Sequence, residues 1–246
     1  MSAVAHPTMT PSTDVAGEPG SAQELLARLK AFCLPGGEEN ARQVRSIRTT
    51  QSGEIRSAAT APWVPFTAEE VTSAMSCAFR WEARLKGGRL GWFSVTDSYE
   101  DGHGCGALSL GGVLPVRKSV GPDFDRGELQ RYLGSVVLCP PMLVNNASLI
   151  WSAAGRLTLR VRDRDDSTGA TVDLELNEQG HPIACHAERP RMVGKITVPT
   201  SWSAAGADFE ERQGMRVATR LEASWHLPEG VFSYFRAQVS SFEILR

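Results

Sequence analysis

The chain has 246 residues and a net charge of -2, with 41% hydrophobic and 22% charged residues, as in an ordinary globular protein. The balanced charge argues against non-specific binding to nucleic acid, which requires a basic surface. No apolar run approaches the roughly 20 residues needed to span a bilayer, and no early run resembles a signal peptide, so we predict a cytoplasmic protein.

The N-terminal part predicts a polar tail followed by a helix. Residues 1–20 are small, polar and rich in Pro and Gly, a composition typical of disordered segments. Residues 21–246 are predicted to form one domain. Ser21 and Glu24 form a capping box before leucines at helical spacing, and Pro35-Gly36-Gly37 predicts the end of this helix.

Two further capping boxes predict short helices. Thr67 with Glu70 predicts a helix that runs to about residue 75, and Asp125 with Glu128 predicts one that runs to about residue 136. In each case a side chain that accepts hydrogen bonds precedes an acidic residue by three positions, as at the start of many helices.

Short strands dominate the remainder of the chain. Because their links are short, we predict an antiparallel meander, and about ten strands in one sheet should curl into a barrel or half barrel. The fold class is therefore mainly β, with a few short helices covering the sheet. Outside the last hairpin, the predicted strands are 44–48, 54–58, 79–85, 90–99, 105–110, 113–120, 148–151, 156–162, 170–176, 181–188 and 195–198.

The last thirty residues predict a hairpin with a defined register. Strands 215–227 and 231–244 meet at Pro228-Glu229-Gly230, where Pro suits a turn and Gly suits a left-handed backbone. This register places Glu222 opposite Arg236 and divides the side chains between two faces. One face is plain core, whereas the other combines charges with aromatic rings: Arg220, Glu222, Ser224, His226, Phe232, Tyr234, Arg236 and Gln238.

The mixed face of the hairpin has two interpretations. Glu222 and Arg236 could form an exposed cross-strand ion pair that contributes less than about 1 kcal/mol. Alternatively the pair faces the inside of a barrel, where the Arg anchors an anionic group of a ligand and the Glu orients it. Phe232 and Tyr234 on the same face favour the second interpretation.

Motifs for other chemistries are missing from the sequence. Gly-x-Ser-x-Gly, Gly-x-Gly-x-x-Gly and the phosphate-binding loop do not occur, so we expect no cofactor. Five widely spaced cysteines without Cys-x-x-Cys favour a reducing compartment over disulfides or a zinc ribbon. Asp101, His103, Cys105 and His186 could suggest a metal site, but their spacing matches no metal motif.

The pentapeptide Trp-Ser-Ala-Ala-Gly occurs twice, at 151–155 and at 202–206. A duplicated hairpin would explain the repeat, and so would chance in a chain rich in Ala and Gly. The sequence leaves both explanations open.

A series of motifs in order resembles a widespread bacterial family of uncharacterised β-rich proteins. The resemblance covers roughly residues 60 to 245, and its β-rich pattern is similar to lipoprotein-carrier half barrels, which implies a curved sheet around an apolar ligand. The motifs are Trp63-x-x-Phe66-Thr67-Ala68, Phe79-x-Trp81-x-Ala83, Asp97-x-Tyr99, Gly102-x-Gly104, Arg131-Tyr132-Leu133 before Pro140, Trp151, Gly214-x-Arg216, Glu222-x-x-Trp225 and Tyr234-x-Arg236.

The sequence departs from this family pattern at two positions after Arg131-Tyr132-Leu133. Members usually carry Glu and then Trp where this chain has Ser135 and Leu138. If that Glu matters to the common function, the resemblance implies that this chain has a changed function, as in a divergent copy recruited to a specialised pathway.

We therefore predict a protein that binds an apolar small molecule in a β-barrel cavity. A cofactor-independent isomerase or cyclase would fit, because such a site holds a reactive conformer and stabilises developing charge. A hydrophobic-ligand carrier or sensor and a partner-binding structural protein are the alternatives. The predicted catalytic residues are Glu222, Arg236 and Tyr99, and the predicted ligand-binding residues are Arg220, Tyr234, Phe232, Trp81, Trp92, Trp151 and Arg131.

Overall fold

The computed structural model describes residues 21–86 and 91–246, which form one antiparallel sheet of 13 strands with four α-helices. The predicted disorder of residues 1–20 and the predicted turn at Gly87-Gly88 lie outside the described residues. The strands are β1 (Ser46–Ile55), β2 (Val64–Ser73), β3 (Phe79–Lys86), β4 (Trp92–Glu100), β5 (His103–Leu110), β6 (Leu114–Ser119), β7 (Leu149–Gly155), β8 (Thr158–Asp163), β9 (Val172–Leu176), β10 (Pro182–Val193), β11 (Ile196–Arg212), β12 (Met215–Leu227) and β13 (Gly230–Leu245).

The helices lie before the sheet and at its midpoint in the sequence. They are α1 (Ala22–Cys33), α2 (Glu38–Arg42), α3 (Pro122–Gly134) and α4 (Met142–Asn145), and a 3₁₀ turn (Ser135–Val137) follows α3 directly. Among the described residues, no helix combines the length and the apolar character needed to cross a membrane.

The sheet consists of two meanders that meet in the middle. Its strand order is β6-β5-β4-β3-β2-β1-β13-β12-β11-β10-β9-β8-β7. The chain builds one wing from β1 to β6, passes through α3 and α4 to the far edge, and returns from β7 to β13, which pairs with β1. Since β6 and β7 are the edges of the described sheet, the structure is an open half barrel, and the prediction of a mainly β meander is confirmed.

One helix shows that the sheet must be curved. The 13 residues of α3 span about 20 Å at 1.5 Å per residue, yet α3 packs against β4 and β5 in one wing and β9 and β10 in the other. In a flat sheet β5 and β10 would be separated by about 38 Å, at 4.7–4.9 Å per strand. The two wings therefore fold toward each other, and α3 covers the concave face.

The prediction of a helix from Thr67 to about residue 75 is wrong, because this segment belongs to β2. Its buried side chains alternate as in a strand, at Phe66, Ala68, Glu70 and Thr72, and its backbone pairs with both β1 and β3. A capping box is a local preference that pairing on both sides of a central strand outweighs.

The other two predicted capping boxes differ in outcome. Ser21 caps α1, since its hydroxyl accepts a hydrogen bond from the Glu24 amide at 3.1 Å. The helix predicted from Asp125 exists, but it begins at Pro122. The Asp125 carboxylate instead accepts a hydrogen bond from the Gly104 amide at 2.7 Å, and this bond fastens the first turn of α3 to β5.

The last hairpin has the predicted register only on the side of a β-bulge that lies away from the turn, because next to the turn Leu227 faces Gly230 and not Val231. Glu222 faces Arg236 and Ala223 faces Phe235, but Ser224 faces Ser233, so Tyr234 is the extra residue of β13. Between the bulge and the turn the alternation of side chains along β13 is shifted by one residue. The predicted division of the hairpin into two faces is therefore wrong past this point.

Tyr132 of α3 joins the helix to two other segments. Its hydroxyl donates a hydrogen bond to the Ser73 carbonyl at 3.1 Å and accepts one from the Asn146 side-chain amide at 2.9 Å. Tyr132 and Asn146 are buried, so neither group can exchange this partner for water.

We expect Tyr132→Phe to lower the free energy of unfolding by about 1–3 kcal/mol, because the substitution leaves buried polar groups unpaired. Urea denaturation measures this as a lower midpoint with an unchanged slope. Tyr99→Phe is the matched control, because Tyr99 is also buried but no other described residue hydrogen-bonds its hydroxyl. Equal midpoints for the two variants would contradict the structural role of the Tyr132 hydroxyl.

Candidate functional site

A cavity of about 240 Å³ lies between the concave face of the sheet and α3 with its 3₁₀ turn. Most of its wall is apolar, with charged groups gathered in one part. The lining residues are Gln51, Ile55, Glu70, Trp81, Leu85, Val95, Asp97, Glu128, Arg131, Gly134, Ser135, Val137, Leu138, Leu174, Pro182, Ala184, Cys185, Arg189, Trp202, Ala204, Ala205, Gly206, Leu221, Glu222, Ala223, Tyr234 and Phe235.

The cavity exists because small side chains lie in the middle of the concave face. Direct cross-strand neighbours form a row of five lining residues, Leu174, Cys185, Ala204, Ala223 and Phe235. The three central members of this row are short, and larger side chains stand at its two ends. The space that large side chains would fill in a packed core is therefore left open.

The helix adds one more small residue, Gly134, above this row. A Cβ atom placed on Gly134 would lie 3.0 Å from the Cys185 sulfur, a tight contact, so glycine at position 134 favours the close approach of the end of α3 to β10. Burial raises the pKa of the Cys185 thiol to about 11, which keeps this side chain neutral and unreactive near pH 7.

The face of the helical segment that looks into the cavity changes from charged to apolar along its length. Glu128, Arg131, Ser135 and Leu138 follow at intervals of three, four and three residues and all line the cavity. This spacing keeps side chains on one face of a helix. The charged end of the cavity thus lies at the middle of α3, and the apolar end lies under the 3₁₀ turn.

Arg131 connects α3 to the wing that contains β2 and β4. Its guanidinium donates a hydrogen bond to Asp97 at 3.2 Å and lies 3.8 Å from Glu70. It also covers the ring faces of Phe79 and Trp81, at 4.7 and 5.1 Å from the ring centres. Burial disfavours the charge of Arg131, but the surrounding carboxylates outweigh burial and raise the pKa of Arg131 above its usual value.

Arg189 connects α3 to the opposite wing. It is a buried residue of β10, its guanidinium donates a hydrogen bond to the Gly127 carbonyl at 2.6 Å, and it covers the Trp202 ring at 4.6 Å. The Gln130 side chain of α3 donates to the Glu188 carbonyl of the same strand at 3.0 Å. Arg131 and Arg189 therefore hold α3 from two sides.

Glu128 lies between these two arginines without a hydrogen bond to either. Its carboxylate oxygens are 3.7 Å from Arg189 and 3.9 Å from Arg131, and its Oε2 atom has no hydrogen-bond partner among the described residues. Burial, and then the nearby Asp97, raise the pKa of Glu128 to about 7. Burial also raises the pKa of Asp97, against the opposing effect of Arg131.

Hydrogen bonds between side chains fix the aromatic walls of the cavity. The Trp81 indole donates to Gln51 at 3.2 Å, and Gln51 donates to Glu70 at 2.8 Å. In the other wing the Trp202 indole donates to the Tyr234 hydroxyl at 3.0 Å. Both rings are thereby held in place before any ligand arrives.

Four of the predicted site residues line the cavity, namely Trp81, Arg131, Tyr234 and Glu222. Glu222 lies at the margin, because it is exposed and occupies the same face of β12 as the exposed Arg220. The structure thus brings together three of the predicted ligand-binding residues, Trp81, Arg131 and Tyr234, but separates the three predicted catalytic residues from one another.

The two predicted arginines of the last hairpin lie outside the cavity. Arg236 is 54% exposed, pairs with Glu54 through Nε at 2.9 Å and covers the Trp63 ring at 4.4 Å. Arg220 is also exposed and pairs with Asp208 at 2.7 Å. The expectation that these arginines reach the inside of a barrel is corrected, because their face of the sheet is the solvent-facing one.

The remaining predicted residues also lie away from the cavity lining. Tyr99 is buried in the core, where burial raises the pKa of its hydroxyl above the usual value. Phe232 is buried beyond the bulge, with the guanidinium of Arg56 over its ring at 5.3 Å. Trp92 is 37% exposed, and Trp151 is half-buried in the edge strand β7. Within the described ranges, no cluster of three or more His, Cys, Asp or Glu is placed to hold a metal ion.

Of the residues at the charged end, the sequence predicts Arg131 as a site residue but not Glu128 or Arg189. Glu128 enters the sequence prediction only as part of a capping box, although its spacing of three residues from Arg131 predicts that both lie on one helix face. For Arg189 and Trp202 the sequence carries no comparable signal, because their approach to α3 depends on how the sheet curves.

The family of this chain follows from a match that covers residues 29–237. The chain belongs to DUF6544, a family of unknown function. The two positions at which it departs from the predicted family pattern, Ser135 and Leu138, both line the cavity. No curated protein matches the sequence.

The solved structures that are similar in fold to this DUF6544 protein include the following two. A LolA superfamily protein from Nitrosomonas europaea has 13% sequence identity and a TM-score of 0.50, over 92% of this chain and 94% of that one. A DUF1329 family protein from Desulfovibrio piger has 7% identity and a TM-score of 0.51, over 91% of each chain. Identities this low establish a shared fold and nothing further.

We expect Glu128→Gln to change how stability depends on pH. In the wild type the pKa of Glu128 rises from its ordinary value of 4.5 to about 7 on folding, so the folded state binds the proton more tightly. Stability should therefore fall as pH rises between these two values, by on the order of 2–3 kcal/mol.

The variant lacks this proton, so its stability relative to the wild type should increase over the same pH interval and level off above pH 7. Urea denaturation of both proteins at pH 5, 6, 7 and 8 measures the difference. If the difference in the free energy of unfolding between the two proteins stays constant with pH, the pKa of Glu128 is not shifted on folding.

Proposed function

We propose that this protein binds an apolar small molecule in the cavity between α3 and the sheet and acts as a carrier or holder of that molecule. The observation that supports this function best is a space of about 240 Å³ whose walls are mostly apolar and whose aromatic rings are fixed by hydrogen bonds. A cavity of this kind, with a few polar groups at one end, is typical of small-molecule sites.

The fold is consistent with this role. A half barrel covered by one helix presents a concave surface that a ligand can occupy without crossing the sheet. The sequence resemblance to lipoprotein-carrier half barrels implies an apolar ligand in the same place, and one of the structures similar in fold belongs to the LolA superfamily.

A carrier is favoured over an isomerase or cyclase by the separation of the predicted catalytic residues. Glu222 lies at the cavity margin, Arg236 forms a surface ion pair and Tyr99 is packed in the core. Groups that act on one substrate must reach the same reacting atoms, and these three side chains lie in three different environments.

Filling the cavity should weaken ligand binding. Ala204 lies in the central row of small residues, so Ala204→Phe places a ring in the ligand space. We expect at least a tenfold weaker affinity for the apolar fluorophore N-phenyl-1-naphthylamine, measured by the rise in its emission during titration. Native mass spectrometry of the purified wild type should also show a retained small molecule that the variant lacks.

The repeated pentapeptide provides a matched control. Ala153 holds the same place in Trp151-Ser152-Ala153 as Ala204 holds in Trp202-Ser203-Ala204, but it is exposed on the edge strand β7. Ala153→Phe should bind the fluorophore like the wild type. If a folded Ala204→Phe protein, judged by circular dichroism, keeps the wild-type affinity, the ligand does not occupy this cavity.

A further inference from the structure

We infer that the ligand of this cavity is an amphiphile with an amine at its polar end, and that the ammonium group binds Glu128. This inference rests on the proposed function, since it concerns the ligand of the same cavity. Three independent features of the described residues support it: an unpartnered acceptor, the charge of the polar end, and the position of that end relative to the apolar wall.

The unpartnered acceptor is the Glu128 carboxylate. Its side chain is 9% exposed, it lines the cavity, and its buried Oε2 atom has no hydrogen-bond partner among the residues that the structure describes. The nearest guanidinium nitrogens, at 3.7 and 3.9 Å, are beyond hydrogen-bond distance. A buried carboxylate without a donor is costly, and a ligand that carries N–H groups removes this cost.

The charge of the polar end favours a cation over an anion. Glu70, Asp97 and Glu128 carry three formal negative charges when ionised, and Arg131 and Arg189 carry two positive charges, so the sum is -1. An ammonium group brings the sum to zero, whereas a carboxylate head group makes it -2.

Each arginine is also engaged before a ligand arrives. Arg131 donates to Asp97, and Arg189 donates to the Gly127 carbonyl. The buried Nε atom of Arg189 has no hydrogen-bond partner among the described residues, but an anionic head group that accepted from it would raise the net negative charge of this end to -2, whereas an ammonium group would neutralise it.

The polar and apolar ends lie on one continuous wall. Along the cavity face of the helical segment, Glu128 is followed by Ser135 and Leu138, and the small residues Ala204 and Ala223 lie at the apolar end. A primary amine on an unbranched apolar body can therefore place its nitrogen at Glu128 and its chain under the 3₁₀ turn. The ligand class is an aliphatic amine, and a neutral hydroxyl or an anionic head group should bind more weakly.

Three probes with the same apolar body test the polar end. Decylamine, decan-1-ol and decanoate are titrated into the full-length protein by isothermal titration calorimetry at pH 8. At this pH an alkyl ammonium is protonated, and Glu128, with a pKa of about 7, is mostly ionised. We expect decylamine to bind at least tenfold more tightly than decan-1-ol, in keeping with one hydrogen bond to a charged group, and decanoate to bind most weakly.

Glu128→Gln tests whether Glu128 causes the preference. The variant keeps the shape of the side chain but loses the charge, so decylamine should lose at least tenfold in affinity while decan-1-ol changes less than threefold. Glu188→Gln removes an exposed carboxylate one residue before Arg189 and should leave all three affinities unchanged. This control excludes a general effect of the protein's net charge.

The outcomes distinguish failure of the amine inference alone from failure of the proposed function. Equal affinities of decylamine and decan-1-ol for the wild type, tightest binding of decanoate, or a preference that survives Glu128→Gln would each overturn the amine inference and leave the proposed function standing. If none of the three probes binds the folded wild-type protein, both the proposed function and the inference are contradicted.

Discussion

The placement of α3 across the concave face of the sheet determines both the core and the cavity. Arg189 of β10 donates a hydrogen bond to the Gly127 carbonyl of α3, and Arg131 of α3 donates one to the Asp97 carboxylate of β4. These contacts come from strands that lie far apart in the sheet order, so they also fix how strongly the two wings curve toward each other. Removing one partner of a buried ion pair leaves the other charge uncompensated. A displaced α3 would separate these partners, so the contacts favour one position of the helix.

The cavity is the consequence of that position and of side-chain size. Charged groups keep the middle of α3 at a fixed distance from the sheet, while Gly134 allows its end to approach Cys185. Between these contacts the sheet presents the short side chains of Cys185, Ala204 and Ala223, which do not fill the space. The result is a site with a charged end and an apolar end, a division that suits an amphiphilic molecule better than a purely apolar one.

Sequence patterns predicted the local parts of this arrangement and missed the long-range ones. The antiparallel meander and the facing of Glu222 and Arg236 were predictable, because turns and alternation are encoded over a few residues. The prediction of a helix at Thr67 is wrong because pairing with the neighbouring strands decides the structure of that segment. The predicted faces of the last hairpin are wrong between Tyr234 and the turn because one bulge reverses the alternation of side chains. Arg189 and Glu128 meet only through the curvature of the whole sheet, which no short pattern encodes.

The central claim is that an apolar molecule lies beneath α3, between the charged cluster and the 3₁₀ turn. The most direct test is a crystal structure of the protein with 10-bromodecan-1-amine, in which the bromine marks the ligand by its anomalous scattering. We expect one bromine peak within the cavity, near Ala204 and Leu138. A peak only outside the space between α3 and the sheet, in a crystal where the protein is folded as described, would contradict it.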